Sequence, residues 1–386
     1  MIDPALPAAD LAPLPADGVA AARRPFGHSR MLPAAAYTSA GVFAWESRHL
    51  FAGTWTCVGR EPELWADGTT QRAIEVGGVP VLLTCSAGET RALANTCRHR
   101  GHELLGAGAT TGRRAVVCPY HAWSYGLDGA LRSAPGCREA ADFDPAEYSL
   151  VELPSARWRG WIFVNASGDG PPFADHLGGL DDLVAPYDPE SLVLLATSKY
   201  ELATNWKVVH ENYHECYHCP LIHPELCRVS PPASGDNFDL PGAWVGGSMA
   251  LRDGAESMSL DGRGSGRPLP GLDEAGRRSV RYLGLLPNLL LSLHPDYVMT
   301  HRVEPLAPDR TRIECAWYFP STQIDPAFAV DFWDRTNRQD WAACESVYRG
   351  LSSPHYRPGP LAPNEDAVYR FVTMLAGAYL GLPLTA

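Results

Sequence analysis

The sequence predicts an α+β protein, with an all-β domain in the N-terminal half and then a larger domain combining an antiparallel sheet with helices. Three observations carry this. From about Trp55 to Asn165 the chain runs in short β-like stretches, such as Val81–Cys85, Ala92–Asn95, Ala115–Val117 and Trp161–Val164, separated by Gly, Asp and Pro. Beyond a linker at 169–172, strand-like runs (Leu192–Leu195, Asn288–Leu293, Arg312–Phe319) mix with helical segments at about 206–219 and 326–351. Each half also holds its own concentration of metal-ligand residue types, at different spacings.

These signals divide the chain into an Ala/Pro-rich segment, 1–40, expected to pack on the second domain, a β domain, 41–168, and a second domain, 169–386. A short helix is expected near 35–50. The run Gly126-Leu-Asp-Gly-Ala130 marks a hairpin, and Asp325-Pro326 marks a helix start. The Gly/Ser/Arg-rich stretch 253–276 reads as a mobile loop, and no internal repeat is present.

A chain of 386 residues that is 45% hydrophobic can fill two cores. A formal charge of −12 argues against a nucleic-acid partner and is compatible with a cationic ligand. No apolar run is long enough to span a bilayer; the most apolar, Leu283–Leu293, is interrupted by Gly284 and Pro287 and reads as one buried strand. The N-terminus lacks a basic region followed by an apolar one, so a cytoplasmic location is expected. In a reducing compartment the ten cysteines are expected to be buried hydrophobes or metal ligands.

Cys97-Arg98-His99 and Cys118-Pro119-Tyr120-His121 each place one thiolate and one imidazole on a turn at the end of a β-like run. Two such turns facing each other offer two cysteines to one iron and two histidines to another, the ligation of a Rieske [2Fe–2S] centre. A tetrahedral zinc site uses the same residue types, but zinc knuckles usually pair Cys-x₂₋₄-Cys with His-x₃₋₅-His.

The second constellation runs from Asn205 to Pro224 and contains His210, His214, His218 and His223. His214-Glu215-Cys216-Tyr217-His218 fits the zinc-hydrolase pattern His-Glu-x-x-His. Alternatively, His218 and His223 are two ligands of a non-haem iron, one from a helix and one from the turn beyond it, with Pro220 and Pro224 ending the helix. An iron that activates dioxygen needs an electron source, which the first centre supplies, whereas a zinc hydrolase has no use for one. The iron reading is preferred. His210, His214 and His218 recur at four-residue intervals on one helical stripe.

The paired loops Cys97–Gly101 and Cys118–Trp123 resemble those of Rieske ring-hydroxylating oxygenases. Tyr120 stands where respiratory Rieske proteins carry a disulfide-forming cysteine, which points to the oxygenase branch. The resemblance implies a helix-grip-like catalytic domain. It implies that Glu215, three residues before His218, bridges a cluster histidine and an iron histidine across a subunit interface of a homotrimer or multiple. It implies a third ligand, a carboxylate, from a downstream helix. About 100° of turn per residue puts Asp340 roughly 45° from the centre of that helix's apolar stripe and Asp334 about 75° away. Asp340 is therefore the expected ligand, with a buried salt bridge as its alternative. The implied cofactors are a [2Fe–2S] cluster at Cys97, His99, Cys118 and His121, and Fe(2+) at His218, His223 and Asp340. O2 is the implied co-substrate, and NAD(P)H acts through a separate flavin/iron–sulfur reductase.

Trp244–Gly262 and Leu289–Met299 look like the glycine betaine and stachydrine demethylase group, which implies N-demethylation of a quaternary ammonium compound. Such a cation is held over aromatic faces, and Tyr213, Trp244 and Tyr297 are candidates. Hydroxylation of an aromatic ring or aryl ether is the alternative. A basic residue in the cavity would favour betaines and an all-apolar cavity would favour arenes.

Overall fold

A computed structural model describes residues 11–137 and 142–385, so the first ten residues of the expected 1–40 segment lie outside the described residues. The chain forms two compact units. One is Glu46–Pro171, and the other joins the described residues through Trp45 to those from Pro172 onward.

The Glu46–Pro171 unit is built from antiparallel sheets. Gln71–Val76, Val79–Ser86 and Glu89–Ala94 form a meander, flanked by Thr110–Thr111 and Glu152–Leu153. The hairpin at Gly126–Ala130 forms as expected: Ser124–Gly126 pairs with Leu131–Ser133 on one side and Ala115–Val117 on the other. Leu82, Leu93, Val116, Trp123 and Tyr125 pack around Cys97 and Cys118 in a buried core.

The other unit is organised by a seven-stranded antiparallel sheet. In spatial order its strands are Val193–Leu202, Arg310–Phe319, Val298–Ala307, Leu289–Leu293, Ser279–Leu285, Trp244–Ala250 and Asp236–Asn237. Leu283–Leu293 is not one strand. Pro287 cannot donate to a ladder, and the chain turns at Leu286–Pro287 so that Leu285 pairs with Leu289. The helix Ala327–Leu351 packs against the strand Val193–Leu202 and the helix Trp206–Tyr213, and Asp366–Tyr379 packs against Trp244–Ala250. Asp325 accepts the Ala327 N–H, the capping bond expected of it.

Three further expectations change. The helix near 35–50 comes in pieces, Ala34–Thr38 and Ala40–Glu46, followed by a wide turn at Ser47–Ala52, because Ser39 is extended. The helix expected over 206–219 stops at Tyr213. The stretch 253–276 is irregular but pinned: Asp296 accepts the Ser257 hydroxyl and the Ser265 N–H, and Met258, Leu269 and Leu272 are buried. Among the described residues no helix is long and apolar enough to cross a membrane.

Candidate active site

The two Rieske-type loops fold alike. The Cys97 N–H donates to the His102 carbonyl and the Cys97 carbonyl accepts from Gly101; the Cys118 N–H donates to the Trp123 carbonyl and the Cys118 carbonyl accepts from Ala122. Gly101 and Ala122 turn the chain back with positive φ, 72° and 57°. Both thiols are buried, while the half-buried rings of His99 and His121 face each other at 4.7 Å between centroids. Nδ1 of His121 is buried without a protein partner. Two thiols inside and two imidazoles at the loop tips are the segregated donor pairs that a [2Fe–2S] cluster needs. The Tyr125 hydroxyl lies 3.3 Å from Cys97 Sγ and accepts the Arg98 N–H. Sequence reasoning missed this residue, although it lies in the hairpin strand directly after the second loop.

In the larger unit, the helix Trp206–Tyr213 starts at Asn205, whose side chain accepts the Lys207 N–H, and ends at His214. It ends there because the Glu215 carboxylate takes the N–H groups of Tyr217 and His218, offering the backbone an alternative to the helical ladder. His214 and His218 are therefore not one helical turn apart, and the zinc-hydrolase geometry does not form. Cys216 and Cys219 are joined by a disulfide, contrary to the expectation that all cysteines are hydrophobes or ligands. Their Cα atoms, 4.9 Å apart, lie within bridging range.

The broken helix delivers His218 just before the short helix Cys219–Ile222 and His223 just after it. Their Nε2 atoms are 3.2 Å apart, and Asp340 Oδ1 lies 2.8 Å from that of His223 and 3.3 Å from that of His218. Cys219 Sγ is also near, 3.9 Å from His218 Nε2, but a sulfur held in a disulfide is not a thiolate donor. The other ring nitrogens are occupied: His218 Nδ1 pairs with Glu215 Oε1 at 2.5 Å and His223 Nδ1 with Gln339 Oε1 at 2.8 Å. These bonds occupy both Nδ1 atoms and leave the two Nε2 atoms facing Asp340, able to bind a metal once His218 gives up its proton. Two imidazoles and one carboxylate, each steadied from behind, fit a non-haem iron. Gln339 was not singled out from the sequence, though its place beside Asp340 on the helix was the available signal. Asp334, the other carboxylate weighed, instead pairs with Arg338 at 2.7 Å and accepts the Tyr200 hydroxyl.

The three donors open onto a cavity of about 370 Å³. Tyr213 lines it, but Trp244 and Tyr297 do not, which corrects their expected role. Trp244 is fully buried, its indole N–H donates to the Pro241 carbonyl and its ring carries Arg370. Tyr297 is fully buried between Trp333, whose N–H it accepts, and the Met258 carbonyl, to which it donates. The other aromatic walls are Tyr282, Trp333 and Trp341. The two tryptophans share a helical face with Asn337 and Asp340, a pattern visible in the sequence.

Replacing His218, His223 or Asp340 by Ala is expected to abolish mononuclear iron binding while the visible spectrum of the cluster persists. Metal analysis alongside absorption spectra checks this, and full iron retention in Asp340→Ala would overturn the ligand assignment. Iron uptake is also expected to depend on pH. Burial disfavours charge on His218, but hydrogen bonds to Asp340 and Glu215 outweigh it and raise its pKa to about 9 in the metal-free site. Iron must displace that proton. Apparent affinity should rise up to about tenfold per pH unit towards pH 9 and level off above. Chelator competition across the neutral range measures this, and a flat profile would contradict it.

Comparison with known proteins finds the same two parts. Residues 54–148 match the Rieske [2Fe-2S] domain and residues 189–381 the ring hydroxylating alpha subunit (catalytic domain). The chain is 31% identical to the glycine betaine monooxygenase oxygenase subunit of Pseudomonas aeruginosa (strain UCBPP-PA14) over 369 residues, covering 86% of this chain and 85% of that protein. It is 35% identical to the carnitine monooxygenase oxygenase subunit of Escherichia coli (strain K12) over 336 residues, covering 84% and 85%. The crystal structure of a quaternary ammonium Rieske monooxygenase in complex with L-carnitine is similar, with a TM-score of 0.74 and 25% identity over 95% of this chain and 99% of that one. The paired loops, the two-histidine, one-carboxylate centre and these likenesses agree: the chain belongs to the Rieske non-haem iron oxygenase alpha subunits, oxidoreductases that carry a [2Fe–2S] cluster and a mononuclear iron.

Proposed function

We propose that this oxygenase N-demethylates a quaternary ammonium compound. The observation that carries the reading is the make-up of the cavity beside His218, His223 and Asp340. Tyr213, Tyr282, Trp333 and Trp341 provide aromatic faces, and the carboxylates of Glu215, Asp236 and Asp366 also line it. Aromatic faces attract a permanently charged ammonium through their quadrupoles, and carboxylates add to the attraction. An arene gains nothing from those acids; the cavity is not the all-apolar one that would favour it, nor, among the described lining residues, does it hold the lysine or arginine expected beside a betaine carboxylate.

The iron, when bound, would supply oxygen activation, with two electrons passed one at a time through the cluster from the reductase. The protein's own residues do the rest: the aromatic walls hold the cation with an N-methyl group towards the three donors, and Glu215 and Gln339 hold the imidazoles in place. Hydroxylation of that methyl group gives a carbinolamine, which breaks into formaldehyde, a proton and the demethylated amine. With reductase, NAD(P)H and O2, formaldehyde should appear in proportion to substrate for trimethylammonium compounds and not for neutral arenes. Arene hydroxylation without formaldehyde release would reverse the assignment.

We further propose that the functional protein is a homotrimer or a multiple of it, in which Glu215 links the cluster of one subunit to the iron of the next. The relative whose structure was determined with reference to carnitine oxidation is described as using inter-subunit electron transfer. Glu215 already holds His218 through Nδ1. Glu215→Gln, nearly isosteric, should retain both metal centres yet slow single-turnover reoxidation of the pre-reduced cluster at least about tenfold. Unchanged reoxidation in an iron-loaded variant would remove Glu215 from the path.

A further inference from the structure

The disulfide beside the iron ligands is poorly explained as a structural cross-link. It joins Cys216 and Cys219, only three residues apart in sequence. Closing so short a loop removes little freedom from the unfolded chain, so the bridge adds little stability that way. Cys-x-x-Cys is instead the spacing of thiol–disulfide exchange, and here it encloses the metal ligand His218. Both cysteines line the cavity.

The surroundings of the Cys219 sulfur are a second, independent observation. His218, Cys219 and His223 each offer a ligand atom, and the three atoms lie within 4.8 Å of one another. Cys219 Sγ stands 3.9 Å from His218 Nε2, on the imidazole that also meets Asp340 Oδ1 at 3.3 Å. A tetrahedral zinc site has Zn–S of about 2.3 Å and Zn–N of about 2.0–2.1 Å, which puts sulfur and nitrogen about 3.6 Å apart. The bridged sulfur is slightly farther away than that, tied to Cys216. A free Cys219 side chain turns about χ1 and closes the gap. His218, His223, Asp340 and a Cys219 thiolate then make four protein donors. Sulfur favours zinc, and a fourth protein donor fills the position that an oxygen-activating iron keeps open.

We propose that the Cys216–Cys219 bridge is a redox-controlled gate on the metal site. As a disulfide it holds Cys219 off the metal and keeps an open, three-donor iron centre. As a dithiol it releases Cys219 to complete a closed, four-donor zinc site. The change takes two electrons and two protons, which turn the S–S bond into two thiols while a dithiol donor is oxidised to its own disulfide. Zinc binding then displaces the Cys219 thiol proton to solvent. The gate rests on the ligand assignment and not on the choice of substrate.

Metal content reads the two states. The holoenzyme is equilibrated anaerobically with equimolar Fe(2+) and Zn(2+), untreated or after reduction with a phosphine, which takes oxygen from water as it opens the bridge. Thiol counting follows the opening, and acid-labile sulfide corrects for cluster iron. Reduction should raise the zinc-to-iron ratio at the mononuclear site at least about tenfold. Zinc X-ray absorption should then show one sulfur neighbour at about 2.3 Å. Cys216→Ala, which leaves Cys219 unbridged, should show the same ratio and the same neighbour without reductant. Cys219→Ala should keep the metal preference of the disulfide form in either state. The visible spectrum of the cluster checks that each variant is folded, and the reduced wild type decides alone if Cys216→Ala is not. Zinc without a sulfur neighbour in the reduced wild type would overturn the proposal. So would an unchanged metal ratio, or a bridge that the phosphine does not open.

Discussion

The larger unit is arranged around the meeting of Asp340 with His218 and His223. The three donor atoms come from two stretches far apart in sequence, and Asp340 Oδ1 must arrive within 2.8–3.3 Å of two ring nitrogens. Three buried polar groups that converge with partly shared lone pairs are costly unless a metal or proton bridges them. In the metal-free site a proton on His218 does so: hydrogen bonds from both histidines overcome the burial that would otherwise raise the Asp340 pKa, and hold it below its ordinary range. The position of the helix Ala327–Leu351 is then fixed in rotation. The face that presents Asp340 also brings Asn337, Trp333 and Trp341 to the cavity, so substrate walls and metal ligand come from one packing decision.

The opposite partner must be both rigid and broken. Its rigid part is the helix Trp206–Tyr213, anchored from behind: Asn205 donates to the Tyr37 and Pro308 carbonyls, and the Tyr37 hydroxyl donates to Glu211 Oε1 at 2.6 Å. Burial raises the Glu211 pKa to about 7 against the opposing pull of Tyr37 and Lys207, so this anchor is a coupled polar group and not a simple ion pair. The broken part begins one residue later. Had the helix run on to Cys219, as propensity and spacing suggest, His214 and His218 would lie on one face and His223 would be carried away. The Glu215 carboxylate prevents this by competing for two backbone N–H groups, and the same carboxylate orients His218 through Nδ1. One side chain both ends the helix and aims the ligand.

What could be read from the sequence follows from how local the information is. The loops at Cys97 and Cys118, and the register of Glu215, His218 and His223, are short-range patterns in which spacing nearly determines geometry. Asp340 was reachable because helical phase is regular over many residues. The helix ending at His214 was less legible, since a side-chain-to-backbone competition can override periodicity. The aromatic walls were less legible still. Trp244 and Tyr297 are as aromatic and as buried as any wall residue. Which face of the sheet meets the cavity depends on pairings such as Trp244 with Leu285 and Gly247 with Tyr282, set by strands distant in sequence. The turn at Pro287 shifts the same register, and reading Leu283–Leu293 as a single strand hid it.

The electrostatic character of the cavity connects these elements to selectivity. Glu215, Asp236 and Asp366 line a partly enclosed space with no lysine or arginine beside them among the described residues, an arrangement that folding alone would not favour. Like charges repel more where water is scarce, as beside the half-buried Glu215 and Asp366. That unfavourable term weakens when a metal cation sits at the His218–His223–Asp340 end and an organic cation lies against the aromatic faces. Selection of a cationic substrate then needs no dedicated acidic partner in contact with it, because the whole cavity is pre-charged and the aromatic rings supply the close contact. What remains to be specified is the uncharged or anionic end of the substrate. A field that favours cations throughout cannot do that, so this end must be read by shape and by contacts other than charge.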